Sequence, residues 1–268
     1  GYFAQDDPLA DPAVIGAAPA RFGLLDSSDT RWSNTMTALC DLNASAIHST
    51  SYKLVLFARH GEGYHNVAYE KKYTRKQWNE SVSYLSGLIP AHFGPDPELT
   101  ALGKEQAAAV NKVWKEELTA GIPLPQKMYC SPMTRALDTY MITFRGISSM
   151  RPLVVELPQN CREVYGRSSC DKRRTRTHIT TAFPQVDIEK GFKEDDELWI
   201  NERESVEHVA ARVLTVLDRI FRDDKDAIFV SITAHAGIIN VFLHTLGRPL
   251  YPLPTGGMVS SLNRCALN

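Results

Sequence analysis

The sequence predicts an α/β fold, a three-layer α/β/α sandwich around a largely parallel sheet. Three observations predict it. "KLVLFA" (53–58) and "AIFVSITAH" (227–235) are short, almost unbroken apolar runs, as strands covered on both faces require. Amphipathic helical stretches alternate with these and with further strand candidates, as crossovers in a parallel sheet demand. The chain has 268 residues, 43% hydrophobic and 23% charged, enough to bury such a core.

Residues 1–50 are rich in Ala, Pro, Asp and Ser, show no sustained period, and read as an N-terminal arm packed on the domain. Phe22, Leu24, Leu25 and Trp32 are its expected anchors. Residues 51–268 then form one domain. In "LTALGKEQAAAVNKVWKEEL" (99–118), Ala107, Val110, Val113, Trp114 and Leu118 share one stripe, so a helix is expected, with Thr100 and Gly103 at its start. "KMYC" (127–130) reads as a strand, "MTRALDTYMITF" as a helix and "LVVEL" (153–157) as a strand. "ESVEHVAARVLTVLDRIF" (204–221) presents Val206, Val209, Val213, Leu217 and Ile220 on one face behind a Ser205 cap. "AGIINVFLHTLG" is a helix stopped by Gly247, and "MVSSLN" (258–263) is the last strand. A basic excursion at about 161–200, "CREVYGRSSCDKRRTRTHI" at its start, interrupts the alternation and is expected to lie over one face of the sheet.

A net charge of -1 and a pI near 6.8 exclude a globally basic nucleic-acid binder, so affinity for anions must come from local clusters. No apolar stretch reaches the length of a membrane span. The polar, Pro-rich start "GYFAQDDPLADP" carries no signal-peptide pattern, so a cytoplasmic location is expected; the missing initiator Met leaves a removed leader open. Five cysteines are too few and scattered for a disulfide scaffold, and Cys161 and Cys170, which have the spacing to pair, are expected to be reduced. Asn43-Ala-Ser45 and Asn79-Glu-Ser81 fit a glycosylation pattern that arises often by chance.

In an open α/β sheet, functional groups gather past the carboxyl ends of strands. Three predicted strand ends carry one chemical theme: Arg59-His60-Gly61, then "CSPMTRALDT" with Arg135 one helical turn on, then "ITAHAG" with His235. Gly61, Gly63 and Gly237 are expected to let the backbone approach whatever lies between these ends. Arginine forks recognise phosphate, and an unprotonated imidazole among them can attack phosphorus. A second imidazole can hold the equatorial oxygens as charge spreads over them. A carboxyl group must then protonate the leaving oxygen, and Glu163, beside the basic excursion, is the preferred acid. The scheme requires His60 and His235 to face one another across a cationic hollow that solvent reaches.

The segments Arg59-His60-Gly61 with Asn66, Ser131-Pro132-Met133-Thr134-Arg135-Ala136, Arg162-Glu163 and Thr233-Ala234-His235-Ala236-Gly237 follow the motif order of the histidine phosphatase superfamily. Over residues 50–262 the chain resembles its phosphoglycerate-mutase-like branch, and within it the fungal phosphomutase-like phosphatases. The resemblance implies that His60 is the phosphorylated nucleophile, that Arg59, Arg135 and His235 form the phosphate pocket with help from Asn66, and that Glu163 donates the proton. It implies no metal and no organic cofactor. Two departures stand out. Gly63 occupies a position where many relatives have Ser or Thr, and Ala234 and Ala236 flank the second histidine. "AHFGPDPELT", with Asp96 in a turn, is also distinctive.

Other polar groups have blander readings. His65, His92, His178, His208 and His244 show no convergent partners. The run Lys172 to Arg176 is by default a solvated cluster, although Arg173 or Arg174 has the position to meet a substrate anion. Glu194 to Glu197 read as exposed, and Trp78 and Trp114 as core. Functionally, the leading expectation is a phosphatase that hydrolyses a small phosphorylated metabolite, monoester or diphosphate, through a phosphohistidine. The alternatives are a mutase that returns the phosphoryl group to its substrate, and an inactive binding module on the same fold. A small-molecule phosphorylated partner is expected, without nucleic acid or a membrane span; oligomeric state is not legible.

Overall fold

Strand β1 (Thr50–Arg59) sends alternate side chains into two different cores, which is why its apolar run is unbroken. The computed structural model describes residues 1–47, 50–68, 72–74, 76–77, 93–147, 153–154 and 161–266. On one face of the sheet, Leu54, Leu56 and Ala58 pack with helices α1 (Arg31–Ala44), α2 (Ala101–Thr119) and α3 (Thr134–Thr143), through residues such as Leu39, Trp114 and Leu137. On the other face, Val55 and Phe57 meet α5 (Val206–Asp218) and α6 (Ala236–Thr245) through Val213, Val216, Ile239 and Phe242. The result is the predicted α/β/α sandwich. A short helix, α4 (Arg176–Ala182), lies in the excursion.

The remaining strands are β2 (Lys127–Cys130), β3 (Leu153–Val154), β4 (Asp187–Ile188), β5 (Phe229–Ala234) and β6 (Met258–Ala266). Their spatial order is β4-β3-β2-β5-β1-β6, parallel throughout except for β6, which runs antiparallel to β1. β5 therefore lies between β1 and β2. Its carboxyl end is flanked by theirs, and the three loops that bear Arg59-His60, Arg135 and His235 emerge side by side.

Several expectations need correction. The first 50 residues contain the helix α1, whose buried face belongs to the first of the two cores; it was missed because "RWSNTMTALCDLNA" interleaves small polar residues with its apolar ones. Phe22, Leu24 and Trp32 are buried as expected, but Leu25 is 60% exposed. Part of what holds α1 is polar: Glu117 of α2 is buried and accepts hydrogen bonds from Trp32 Nε1 (2.7 Å) and Arg31 Nε (2.8 Å). In α5 the first stripe residue, Val206, is 75% exposed, and the buried face runs through Val209, Val213, Val216 and Leu217. The excursion is not only a loop over one face, since it supplies α4 and the edge strand β4. Residues 155–157, Trp78, His92 and the Asn79–Ser81 pattern lie outside the described residues. The five cysteines are free thiols. Among the described residues, no helix is long and apolar enough to cross a membrane.

Candidate active site

His60 sits one residue beyond β1, and the ladder continues through it. His60 N donates to Ala234 O (3.0 Å) and His60 O accepts from Gly256 N (2.8 Å), so both sides of the strand end are tied. The following loop is pressed against α2 with almost no space between backbones. A Cβ at Gly61 would lie 2.2 Å from Gly103 O, and one at Gly103 would lie 2.1 Å from Glu62 O. Gly61 N also donates to Thr139 Oγ1 (3.0 Å), whose hydroxyl in turn donates to Arg135 O (2.7 Å). The glycines therefore serve contacts within the protein rather than approach to a ligand. Gly237 does the same, since a Cβ there would strike Glu163 Oε1 at 2.2 Å.

The two histidines predicted to converge do so. The His60 and His235 ring centroids are 4.9 Å apart at 60°. His60 Nδ1 lies 2.7 Å from Gly61 O; a carbonyl only accepts, so the hydrogen of the neutral ring is on Nδ1 and Nε2 keeps its lone pair. His235 Nε2 is 2.8 Å from Ser131 Oγ, while its Nδ1 has no partner among the described residues. His60 is only 3% exposed and His235 not at all. Both rings are therefore sealed from solvent, against the expectation of a hollow that solvent reaches; of the groups around them, Arg59, His65 and Glu163 are part-exposed.

Arg135, the second residue of α3, is fully buried. Its Nη1 donates to Cys170 O (2.9 Å) and its Nη2 to Asp171 Oδ1 (3.2 Å), with Asp96 at 4.0 Å. Asp96 is itself held by Thr134 N (2.9 Å) and Thr134 Oγ1 (2.7 Å), and burial raises its pKa. Arg59 Nη1 donates to Leu253 O (2.7 Å). The Glu163 side chain reaches the start of α6: its carboxylate accepts from Gly237 N (3.1 Å), two residues from His235, and from its neighbour Val164 N (2.9 Å). Asn66 closes the loop, its Oδ1 accepting from Gly63 N (2.9 Å).

His65 was missed. Its ring centroid is 5.5 Å from that of His60, and it lies in the field of Arg135 and Arg59. No periodicity could have flagged it, because a turn of chain rather than a helix or strand repeat returns it to the site. The expectations for the charged excursion also change. Arg162 pairs through both terminal nitrogens with Asp196 (2.7 Å each), so Asp196 is not the exposed acid it was read as. Arg173 is buried and donates to the carbonyls of Arg174, Lys193, Glu194 and Asp195. Neither has its charge facing solvent. Arg174 is part-exposed and close enough to Asp96 to act on it electrostatically.

Burial, then the charges of Arg135 and other neighbours, hold the His60 and His235 imidazoles well below their usual 6.5. Both are neutral at pH 7. Below pH 6.5 the unfolded chain binds protons that the folded site refuses, so the stability due to these rings is complete above that pH and lost as pH falls. Urea unfolding of His235→Gln is accordingly expected to depend less steeply on pH between 6.5 and 5 than wild type, by up to about 1.4 kcal/mol per pH unit. Equal slopes would count against a neutral, buried His235. Among the described residues, no cluster of His, Cys, Asp and Glu has the makings of a metal site.

The family model for the histidine phosphatase superfamily (branch 1) matches residues 85–256, which take in Arg135, Glu163 and His235. The chain is 35% identical to a probable phosphoglycerate mutase of Arthroderma benhamiae, over 98% of this chain and 82% of that one. It is 33% identical to phosphomutase-like protein 3 of Candida albicans, over 96% of this chain and 76% of that one. The crystal structure of the ecdysone phosphate phosphatase from Bombix mori, in complex with tungstate, superposes with a TM-score of 0.51 at 18% identity, covering 78% of this chain and 88% of that chain. At that identity the likeness is one of fold.

Proposed function

This chain belongs to branch 1 of the histidine phosphatase superfamily, an enzyme family of phosphatases and mutases, and from that premise we propose that it hydrolyses a small phosphorylated metabolite through a phosphohistidine on His60. The supporting observation is the fixed tautomer: Nδ1–H on Gly61 O leaves Nε2 as a nucleophile next to His235 and in the field of Arg135 and Arg59. Nε2 attacks phosphorus and the bond to the substrate oxygen breaks. That oxygen takes a proton from the Glu163 carboxyl group. Glu163, now a carboxylate, accepts a proton from water as the water oxygen attacks phosphorus, the N–P bond breaks and orthophosphate leaves. Arg59, Arg135 and His235 hold the three equatorial oxygens. Asn66 contributes by closing the turn that carries the loop.

Hydrolysis is favoured over mutase transfer by where the cations of the excursion go. A mutase must hold a second anionic group while the phosphoryl group waits on histidine, and of the excursion's cations Arg162 and Arg173 are engaged inside the protein, which leaves fewer, among them the part-exposed Arg174, for that task. Product analysis with a phosphorylated sugar acid tests this: orthophosphate without isomerised substrate supports hydrolysis, and isomerisation without orthophosphate overturns it.

Glu163→Gln is expected to lower kcat about 10²–10⁴-fold with alkyl phosphates, whose leaving oxygen needs the proton. With p-nitrophenyl phosphate, whose phenolate leaves unaided, formation of the phosphoenzyme is expected to be nearly unchanged and a burst of nitrophenol to appear. Equal losses in the rate of phosphoenzyme formation on both substrate types would assign Glu163 some role other than acid.

A further inference from the structure

We propose that His65 is a further phosphate-binding residue, a third imidazole that donates to a non-bridging phosphoryl oxygen, and that Gly63 lacks a side chain in order to house its ring. The assignment rests on the reading that a phosphoryl group docks against His60.

The ring of His65 is 5.5 Å from that of His60, on the loop side of the hollow, and its charged surroundings are those of the phosphate pocket: Arg135, Arg59 and His60. Its Nδ1 is buried and has no hydrogen-bond partner among the described residues. A buried, unpartnered ring nitrogen in the field of two guanidinium groups has an oxyanion as a natural complement once the ring is protonated. Burial and those cations keep the ring neutral while the pocket is empty, so an arriving phosphate stabilises its protonated, doubly donating form.

The loop is shaped to hold the ring there. His65 lies in a single helical turn, Tyr64–Val67, closed by the Asn66 side chain on Gly63 N (2.9 Å). A Cβ on Gly63 would come within 2.7 Å of His65 Nδ1 and 2.8 Å of Cε1, inside the distance real Cβ atoms keep; its next neighbour, Glu98 O at 3.3 Å, is only slightly tight. The backbone at Gly63 has φ -97°, which any residue adopts, so conformational freedom does not explain the glycine. Space for the imidazole does. A hydroxyl-bearing residue at 63 and an imidazole folded back from 65 are mutually exclusive solutions to the same corner of the pocket.

Calorimetric titration of the full chain with orthophosphate, alongside steady-state hydrolysis of p-nitrophenyl phosphate, tests the assignment. His65→Ala and His65→Phe are both expected to weaken orthophosphate binding about tenfold or more and to raise KM, because phenylalanine keeps the ring's bulk and loses its donors. Gly63→Ala, which leaves His65 in the sequence but pushes its ring aside, is expected to give a similar loss. The Gly63→Ala/His65→Ala pair is expected to be no worse than His65→Ala alone, since both act on one interaction. Thermal melting identifies the folded variants, and His65→Phe with Gly63→Ala carries the comparison if His65→Ala does not fold. Unchanged affinity in the His65 variants, wild-type-like binding by His65→Phe, strictly additive losses, or no binding of orthophosphate to wild type would each overturn the assignment. Wild type that binds orthophosphate through His65 yet turns over no phosphate ester would instead overturn hydrolysis and leave His65 in place.

Discussion

Replacing His60 by alanine is expected to abolish phosphate release, with kcat falling by about 10³-fold or more, and to abolish capture of labelled phosphoryl group on the protein. The substitution removes the proposed nucleophile and little else. The main-chain bonds of residue 60, to Ala234 O and from Gly256 N, do not involve the side chain, whose own partner is the adjacent carbonyl of Gly61. Thermal unfolding above pH 7 should therefore stay close to wild type while turnover vanishes. Rapid quenching into alkali, where phosphohistidine survives, is the measurement. Label in wild type and none in the variant supports covalent catalysis; full turnover by the variant removes it. A wild-type protein that neither takes up label nor releases phosphate points to the binding-module alternative.

How much of this site could be read without coordinates depended on what holds each residue. Arg59, His60, Arg135 and His235 were legible because they lie at or within a few residues past strand ends, and a strand announces itself by a short apolar run. Placing β5 between β1 and β2 does the rest. His65 was illegible because its position follows from a turn closed by Asn66 and from a missing Cβ at Gly63, and neither has a periodicity. The fates of Arg162 and Arg173 were illegible for a related reason. The Arg162 partner, Asp196, is 34 residues away, and no local pattern distinguishes an arginine bound to such a partner from one that awaits a substrate. The helix α1 escaped because its hold on the domain includes a buried carboxylate, Glu117, and charge is the usual mark of a surface.

Arg135→Ala is expected to be costly twice over, in activity and in stability, and the two losses can be separated. The guanidinium has no solvent exposure and faces two carboxylates, Asp171 at 3.2 Å and Asp96 at 4.0 Å. Removing it leaves those acids short of a cation, and breaking a buried pair in this way costs about 3–5 kcal/mol. It also removes what we propose is a donor to the transferring phosphoryl group, for which a loss of about 10²–10³ in kcat is expected. Asp171 retains Arg203 (3.0 Å), so Asp171→Asn in the Arg135→Ala background is expected to recover part of the stability, measured by urea unfolding. It is not expected to recover turnover, because the amide relieves a buried charge without restoring a fork for phosphate. Arg135→Lys probes the same division from the other side: Nη1 and Nη2 address two different groups, Cys170 O and Asp171, and one ammonium cannot replace both. Charge alone should return much of the stability and little of the rate. If the double variant regained wild-type turnover, Arg135 would be a strut for residues 169–171 rather than a phosphate ligand.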